Sequence, residues 1–187
     1  MKSAACLLAA LGLWGSGSWA QPATYVLEPG HSFVHFEVLH FSTSTSGGRF
    51  GPIAGEVTLD RAAGRGEVSL RVPTAGVDTG LPVFNARLRQ ADLLATAEYP
   101  EAYFVARNFR FQGGQLAEVR GEFTLRGVGQ PLSLFARHFA CRLDEGVEVC
   151  GGDFEGEVLR SEFGATYLLP FVADRVRLVV QVEGRRQ

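Results

Sequence analysis

Strand-length segments that alternate apolar with polar residues run through this sequence from residue 25 almost to its end. The clearest is Ser32 to Phe41, in which Val34, Phe36 and Val38 fall on one face. A period of two places successive side chains on opposite faces of a strand, so its repetition predicts an all-β, antiparallel chain. A sheet with one apolar face must close on itself or be covered, and we expect an eight-stranded barrel. The alternation recurs at Val57 and Leu59, at Val68, Leu70 and Val72, at Val119, Gly121, Phe123 and Leu125, at Leu132, Leu134 and Ala136, and at Val176, Leu178, Val180 and Val182.

The first residues have the pattern of an export signal. Lys2 precedes an apolar run from Ala4 to Trp14, and Ser18-Trp19-Ala20 forms a small-x-small cleavage site before Gln21. A retained membrane helix needs about twenty apolar residues, and glycines and serines interrupt this run too early. We expect residues 1–20 to be a cleavable signal peptide, residues 21–187 to form a single barrel domain, and the product to be periplasmic.

Charge excludes some partners and some chemistry. Lys2 is the only lysine, so the expected mature chain has 17 arginines against 20 acidic residues. The arginines are spread along the chain rather than clustered, which argues against a nucleic-acid partner. Without a lysine, the mature chain has no Schiff-base chemistry.

The two remaining cysteines flank a hairpin signal. If Glu145-Gly146 is a two-residue loop, counting outward pairs Asp144 with Val147 and Cys141 with Cys150. The cysteine pair is then a non-hydrogen-bonded one, with Cα atoms close together. That spacing suits a disulfide in an exported protein. A metal or redox site is the weaker alternative, because only His138 is near as a further ligand.

One stretch departs from the β pattern, from Pro82 to Ala97. Phe84, Leu88 and Ala91 recur there at helical spacing, followed by Leu94 or Ala95. We expect a short helix, or two helical turns broken near Asp92, lying on the barrel or across one end of it.

Several short blocks stand in an order that is typical of one family. They are Glu28-Pro29-Gly30-His31-Ser32, Gly48-Arg49-Phe50, Val77-Asp78-Thr79-Gly80, Gly121-Glu122-Phe123-Thr124-Leu125-Arg126-Gly127-Val128 and Arg160-Ser161-Glu162-Phe163-Gly164. Together they resemble the YceI-like family, over residues 25–184. The resemblance implies a lipocalin-like barrel, exported or cytosolic, that binds polyisoprenoid lipids or related amphiphiles. The chain departs from the family at Phe84-Asn85-Ala86-Arg87, where an Arg-Asp-x-His run is common, and its helix is more apolar as a result.

Catalytic motifs are scarce in the expected mature sequence. It contains no Gly-x-Ser-x-Gly, no Walker loop, no dinucleotide fingerprint and no His-Glu-x-x-His. We therefore expect a binding protein rather than an enzyme.

The histidines of the first long strand do not form a metal site by themselves. His31 and His35 share a face but stand four residues apart, about 13 Å along a strand, and His40 falls on the other face. We expect no metal and interpret His31 and His40 as hydrogen-bonding to strand ends or loops. A role for them beside a ligand head group, or a metal or haem site completed from adjacent strands, stays open.

Phenylalanines at inward positions indicate an interior that is either packed or open to a ligand. Phe36, Phe50, Phe104, Phe123, Phe154 and Phe163 alternate with small residues such as Gly55, Gly121 and Gly156, which leave space beside the rings. Periodicity alone favours neither state. The family resemblance favours a pocket.

We predict that the barrel binds a long-chain isoprenoid, an isoprenoid quinone or a related amphiphilic lipid, with no other cofactor. Arg89, Asp92, Arg160 and Tyr167 are candidates for polar contacts at its mouth, although exposed ion pairs are the commoner role of such residues. The main alternative is a redox accessory protein that supplies quinone or binds haem for a membrane cytochrome. A homodimer stays open. The predicted ligand-binding residues are Val34, Phe36, Val38, His40, Phe50, Leu88, Phe104, Phe123, Leu134, Phe163 and Tyr167.

Overall fold

Ten strands and one short α-helix account for most of residues 21–187, and all ten strands join one sheet. The computed structural model describes residues 21–187, so the predicted signal peptide lies outside the described residues. The strands are β1 (Ala23–Leu27), β2 (Phe33–His40), β3 (Ser44–Phe50), β4 (Ala54–Asp60), β5 (Arg65–Pro73), β6 (Glu101–Gln112), β7 (Gln115–Leu125), β8 (Val128–Asp144), β9 (Val147–Leu159) and β10 (Val172–Arg186), and the helix is α1 (Pro82–Leu88).

The ten strands close as an eight-stranded barrel because two pairs of short strands each occupy the position of one long strand. β1 and β2 lie one after the other along β10, and β4 and β3 flank them in the same way. The turn Pro29–His31 separates β1 from β2, and residues 51–53 separate β3 from β4. Pro29 and Pro52 have no N–H to donate to a ladder, so the strands break there. β10 pairs with both β9 and β1, which closes the ring and confirms the predicted antiparallel barrel.

The two ends of the barrel differ in how the strands are connected. At one end, here called the hairpin end, β6 to β7 and β8 to β9 are joined by the two-residue turns Gly113-Gly114 and Glu145-Gly146. At the other end, the helical end, the long connections 74–100 and 160–171 carry α1 and short turns. Within residues 21–187, the long connections between strands therefore lie at the helical end.

The hairpin that carries the cysteines has the predicted register. Asp144 pairs with Val147 across the Glu145-Gly146 turn, and Cys141 pairs with Cys150. The two cysteines form a disulfide, with Cα atoms 4.0 Å apart. Both turn residues have a positive φ, 50° at Glu145 and 82° at Gly146, as a two-residue hairpin turn requires.

The helical segment is shorter than the predicted range. α1 ends at Leu88, before Asp92, and the chain continues in turns as far as Tyr99. Arginines hold these turns in place: one Arg126 nitrogen donates to the carbonyls of Ala91 and Leu93 at 2.7 and 2.6 Å. No helix among residues 21–187 is long and apolar enough to cross a membrane.

Two β-bulges change which residues point into the barrel. On β6, Ala102, Phe104 and Ala106 are buried, and a bulge between Ala106 and Asn108 shifts the alternation by one residue. Phe109 therefore joins the interior side chains. A bulge between Ala136 and His138 on β8 does the same for Phe139. A bulge adds one residue to one strand only, so the inward face changes parity there.

Outward positions carry a row of alternating charges across four neighbouring strands. Arg137 on β8 pairs with Glu155 on β9, Glu155 with Arg177 on β10, and Arg177 with Glu37 on β2. Such partly exposed pairs contribute at most about 1 kcal/mol each to stability. Because these charged side chains point outward, the inward positions of the same strands are free for apolar side chains.

Candidate ligand-binding interior

Apolar side chains from every strand form one cluster inside the barrel. Leu27 on β1, Leu70 on β5, Phe154 on β9 and Leu178 on β10 are among its buried members. Burial of apolar surface at about 25 cal/mol per Å² makes this cluster the main source of stability. Among residues 21–187, no buried side-chain nitrogen or oxygen lacks a hydrogen-bond partner. The interior therefore suits an apolar guest better than a polar one.

Two phenylalanine pairs fill the half of the interior toward the helical end. The rings of Phe36 and Phe50 have centroids 5.2 Å apart. Phe123 meets Phe163 edge to face at 5.5 Å. Phe163 is fully buried, whereas Phe36, Phe50 and Phe123 are half-buried. The predicted ligand-binding aromatics thus pack on one another there.

A cavity of about 60 Å³ lies in the half of the interior toward the hairpin end. Of the predicted ligand-binding residues, Phe104 and Leu134 line it, and it does not extend to Phe36, Phe123 or Phe163. Pockets for drug-sized ligands have volumes of about 300 to 1,000 Å³, so this cavity accommodates only part of a long chain. Its other lining residues are Tyr25, Leu27, Val57, Leu59, Val68, Leu70, Phe109, Leu116, Val119, Phe139, Cys150, Gly151, Phe154, Val180, Val182 and Gly184.

The remaining predicted residues lie at different depths. Val34 is buried in the core cluster, and Val38 and His40 are half-buried near the end of β2. Leu88 is half-buried at the end of α1. Tyr167 is 41% exposed in the connection before β10, outside the core cluster. Their roles in binding stay predictions.

The glycines expected to leave space beside the phenylalanines do not do so. A Cβ atom on Gly121 would overlap the carbonyl oxygen of Val105 and lie 2.8 Å from the Ala106 Cα. A Cβ on Gly55 would overlap the Ser69 carbonyl oxygen, and one on Gly156 would lie 2.8 Å from that of Ser133. That expectation was wrong, because neighbouring backbone occupies the space. Glycine lets the strands bend closely together in a small barrel.

The polar candidates at the helical end have structural partners. Arg160 is buried, and its guanidinium donates to the carbonyls of Ala173, Ala165 and Val172 at 2.9, 2.6 and 2.7 Å. Burial lowers the pKa of Arg160, and the negative charge of Asp174 opposes that shift. Arg160 is therefore a structural bridge between the end of β9 and the start of β10.

The other polar candidates belong to the cover over the helical end. Asp92 accepts two 2.7 Å hydrogen bonds from Arg87, which lower the pKa of the Asp92 carboxyl. The Arg87 guanidinium also lies 3.8 Å from the centroid of the Tyr167 ring. Arg89 donates to the Ala75 carbonyl at 2.9 Å. The contact between Arg87 and Tyr167 links α1 to the connection before β10.

Several large apolar side chains are exposed at the helical end. Phe41 and Phe171 stack with ring centroids 5.9 Å apart and are 50% and 59% exposed. Phe84 on α1 and Leu168 beside Tyr167 are exposed as well. Large apolar side chains exposed together are typical of a binding surface.

A polar group of four residues lies at the hairpin end. Tyr25 lines the cavity with its ring and donates a 2.7 Å hydrogen bond to Glu148. Glu148 pairs with Arg61 and, at 3.4 Å, with Arg186. The hydrogen bond from Tyr25 and the arginine charges lower the pKa of Glu148. Burial and the bond to Glu148 raise the pKa of Tyr25.

Comparison with known proteins assigns the family. The profile of the YceI-like domain matches residues 25–184. The chain belongs to the YceI-like family. It is 31% identical over 191 residues to Protein YceI of Escherichia coli O157:H7, with 100% of both chains covered. It is also 31% identical over 194 residues to a UPF0312 protein of Azotobacter vinelandii, covering 100% of this chain and 98% of that one.

Solved structures share the barrel. BcnA of Burkholderia cenocepacia superposes with a TM-score of 0.68 at 20% identity, over 81% of this chain and 95% of the other. A polyisoprenoid binding domain from Saccharophagus degradans gives a TM-score of 0.64 at 19% identity, over 87% of this chain and 98% of the other. These similarities confirm the YceI-like barrel as the fold.

Most residues around the cavity of this YceI-like barrel were not among the predicted ligand-binding residues. Val57, Leu59 and Val180 were recognised as members of alternating strands but were not assigned to the ligand. Phe109 and Phe139 follow bulges, so alternation counted from the middle of their strands places them outside.

A surface ion cluster joins the break between β1 and β2 to β10. His31 Nδ1 lies 3.1 Å from Glu183 and 3.6 Å from Glu28, an arrangement that the sequence alone did not indicate. Arg142 and Arg185 lie 3.3 and 3.8 Å from Glu183 and Glu28. The arginines already balance both carboxylates, so ion pairing accounts for the cluster. His31 thus bonds near a strand end, as predicted.

Proposed function

We propose that this protein binds a long-chain isoprenoid, an isoprenoid quinone or a related amphiphilic lipid inside the barrel, in the periplasm after removal of residues 1–20. The observation that carries the proposal is one apolar cluster extending from Phe36 and Phe123 to Phe139, with a cavity of about 60 Å³ beside it. The structurally similar polyisoprenoid binding domain supports the same ligand class.

An apolar chain suits this interior for an energetic reason. Each methylene equivalent removed from water contributes about 0.8 kcal/mol, so a long tail binds with few polar contacts. The cavity alone is too small for such a tail. The rings of the Phe36–Phe50 and Phe123–Phe163 pairs are half-buried at three of four positions, and we expect them to turn aside as the chain enters.

Entry through the helical end agrees with the connections found there. Residues 74–100 and 160–171 lie outside the ten strands, with Asp78 bridged to Arg49 of β3, whereas two-residue turns and a disulfide join the strands at the hairpin end. The exposed rings of Phe41 and Phe171 flank that end and suit an amphiphile that arrives from a lipid phase.

Mass spectrometry of an organic extract tests the proposal. Protein recovered from the periplasm of a bacterial host should begin at Gln21 by N-terminal sequencing and should release an isoprenoid or related lipid. Material that keeps residues before Gln21, or that stays in the cytoplasm, would contradict the proposed location. A visible absorption spectrum separates a colourless lipid from haem, and a haem band would favour the redox alternative.

A matched pair of substitutions locates the ligand. Val180 is buried and lines the cavity, so Val180→Phe should abolish binding of a fluorescent prenyl analogue. Val105 is 45% exposed on the outer face of β6, so Val105→Phe makes the same chemical change outside and should bind as the wild type does. Equal binding by two folded variants would place the ligand outside the barrel.

A further inference from the structure

The part of the cavity nearest the hairpin end is built by a separate group of side chains. Tyr25, Leu59 and Cys150 are buried there in a cluster of their own, distinct from the main core. Phe109, Phe139 and Cys141 pack against them. We call these six residues the end wall. All of them except Cys141 also line the cavity, which therefore lies where the end wall meets the main core.

Covalent and polar contacts hold the end wall in place. The disulfide joins two of its members directly across β8 and β9. Tyr25 is tied to Glu148 through its hydroxyl, and Glu148 is in turn paired with two arginines. The bulges on β6 and β8 bring Phe109 and Phe139 inward. These restraints oppose displacement of the end wall by a longer lipid tail.

Burial across the wall fits a boundary between cavity and solvent. Phe109 and Phe139 line the cavity yet stay half-buried rather than buried. Rings with the cavity on one face and water near the other have this intermediate exposure. Beyond them stand the charged groups of Glu148, Arg61 and Arg186, where an apolar chain has no favourable environment.

We propose that the end wall sets the maximum length of the lipid tail, and that the cavity holds the tail's last segment. The inference rests on the proposed function, since it needs a tail that enters from the helical end. The space beside Phe139 and Leu59 is apolar and too small for a whole ligand, which suits a chain terminus rather than a head group.

Binding of a series of prenyl alcohols tests the inference. Geraniol, farnesol, geranylgeraniol and solanesol would compete with a fluorescent prenyl analogue on the purified, disulfide-bonded protein. Wild-type affinity should rise with each prenyl unit and then stop rising at one length. Phe139→Ala should move that limit to a longer chain, tightening the first alcohol beyond the wild-type limit by about tenfold or more. The affinity for alcohols shorter than the limit should change by no more than about twofold.

Leu59→Phe should move the limit the other way. Leu59 is buried and lines the cavity, so a larger ring there fills space that the tail would use. Phe139→Leu makes a smaller change than Phe139→Ala and should move the limit in the same direction, which covers the case in which the alanine variant does not fold.

Two controls separate a length limit from other effects. Phe135→Ala removes a ring from the outer face of the same strand, where Phe135 is 50% exposed, and should leave the limit unchanged. Phe123→Ala removes a ring near the helical end and should change the affinity for all alcohols by a similar factor.

Three results would count against the inference in different ways. The same length limit in wild type, Phe139→Ala and Leu59→Phe would overturn the inference about the end wall and leave the proposed function intact. A similar gain for every alcohol in Phe139→Ala would make Phe139 part of an entrance and overturn it as well. No binding of any alcohol by the wild type would overturn the proposed function and this inference with it.

Discussion

The hydroxyl of Tyr25, on the first strand, donates a 2.7 Å hydrogen bond to the carboxylate of Glu148 on β9, and Arg61 pairs with the same carboxylate. Tyr25 is only 2% exposed, so its ring lies in the apolar interior while its hydroxyl reaches a charged group. This contact connects the end of the cavity to the ion pairs of the hairpin end.

The Tyr25–Glu148 contact should make stability depend on pH. The pKa of Glu148 is lowered in the folded protein, so its contribution is complete above the unfolded value of about 4.5 and is lost as pH falls through the folded pKa. Glu148→Gln should be less stable than wild type at neutral pH, and the difference should shrink in acid. Urea denaturation at pH 7 and about pH 3 measures it. A constant difference would show that the charge of Glu148 is not involved.

Replacing Arg160 should cost far more stability than replacing a surface arginine. Arg160→Met leaves three buried or partly buried carbonyls without their donor, and we expect a loss of about 3 kcal/mol. Arg160→Lys should not restore it, because an ammonium group cannot reach three carbonyls in that fork-like arrangement. Arg137→Met, which breaks a partly exposed pair with Glu155, should cost less than about 1 kcal/mol. Equal urea midpoints for these arginine variants would contradict the bridging role.

Removing the disulfide should weaken the barrel without unfolding it. Cys141 and Cys150 close a loop with a sequence separation of 9, for which chain entropy predicts about 2 to 3 kcal/mol. A Cys141→Ser, Cys150→Ser double variant should show that loss in urea, while the Asp144 to Val147 turn keeps the hairpin register. An intact protein that takes up two alkyl groups before reduction would show free thiols instead.

Adding even a methyl group at Gly121 should lower stability, although the barrel contains a cavity. The Cβ of Gly121→Ala would overlap the Val105 carbonyl, and we expect a loss of about 2 kcal/mol. Gly30→Ala is the matched control, because nothing lies within 4 Å of a Cβ there, and its effect should stay within about 0.5 kcal/mol. Similar urea midpoints for these alanine variants would show that β6 can move away from β7.

Local signals were sufficient for much of this fold. The Glu145-Gly146 turn determined the pairing of Cys141 with Cys150 by counting alone, since side chains in a hairpin alternate from a known starting point. Alternation on β2, β5 and β10 identified inward residues such as Val34, Leu70 and Val180. The short helix was predicted within Pro82 to Ala97. It occupies only Pro82–Leu88, and Arg89 and Arg126 make distant carbonyl contacts in and to the turns that follow.

The sequence by itself determined the class of fold and the pairing of the cysteines, because each depends on residues close in the chain or on a period repeated many times. Only the tertiary structure decided where the cavity lies. Bulges turn Phe109 and Phe139 inward, and neighbouring backbone occupies the space beside Gly121. Arg160 donates its hydrogen bonds to backbone carbonyls. Each of these depends on how strands meet across the barrel, which no local pattern records.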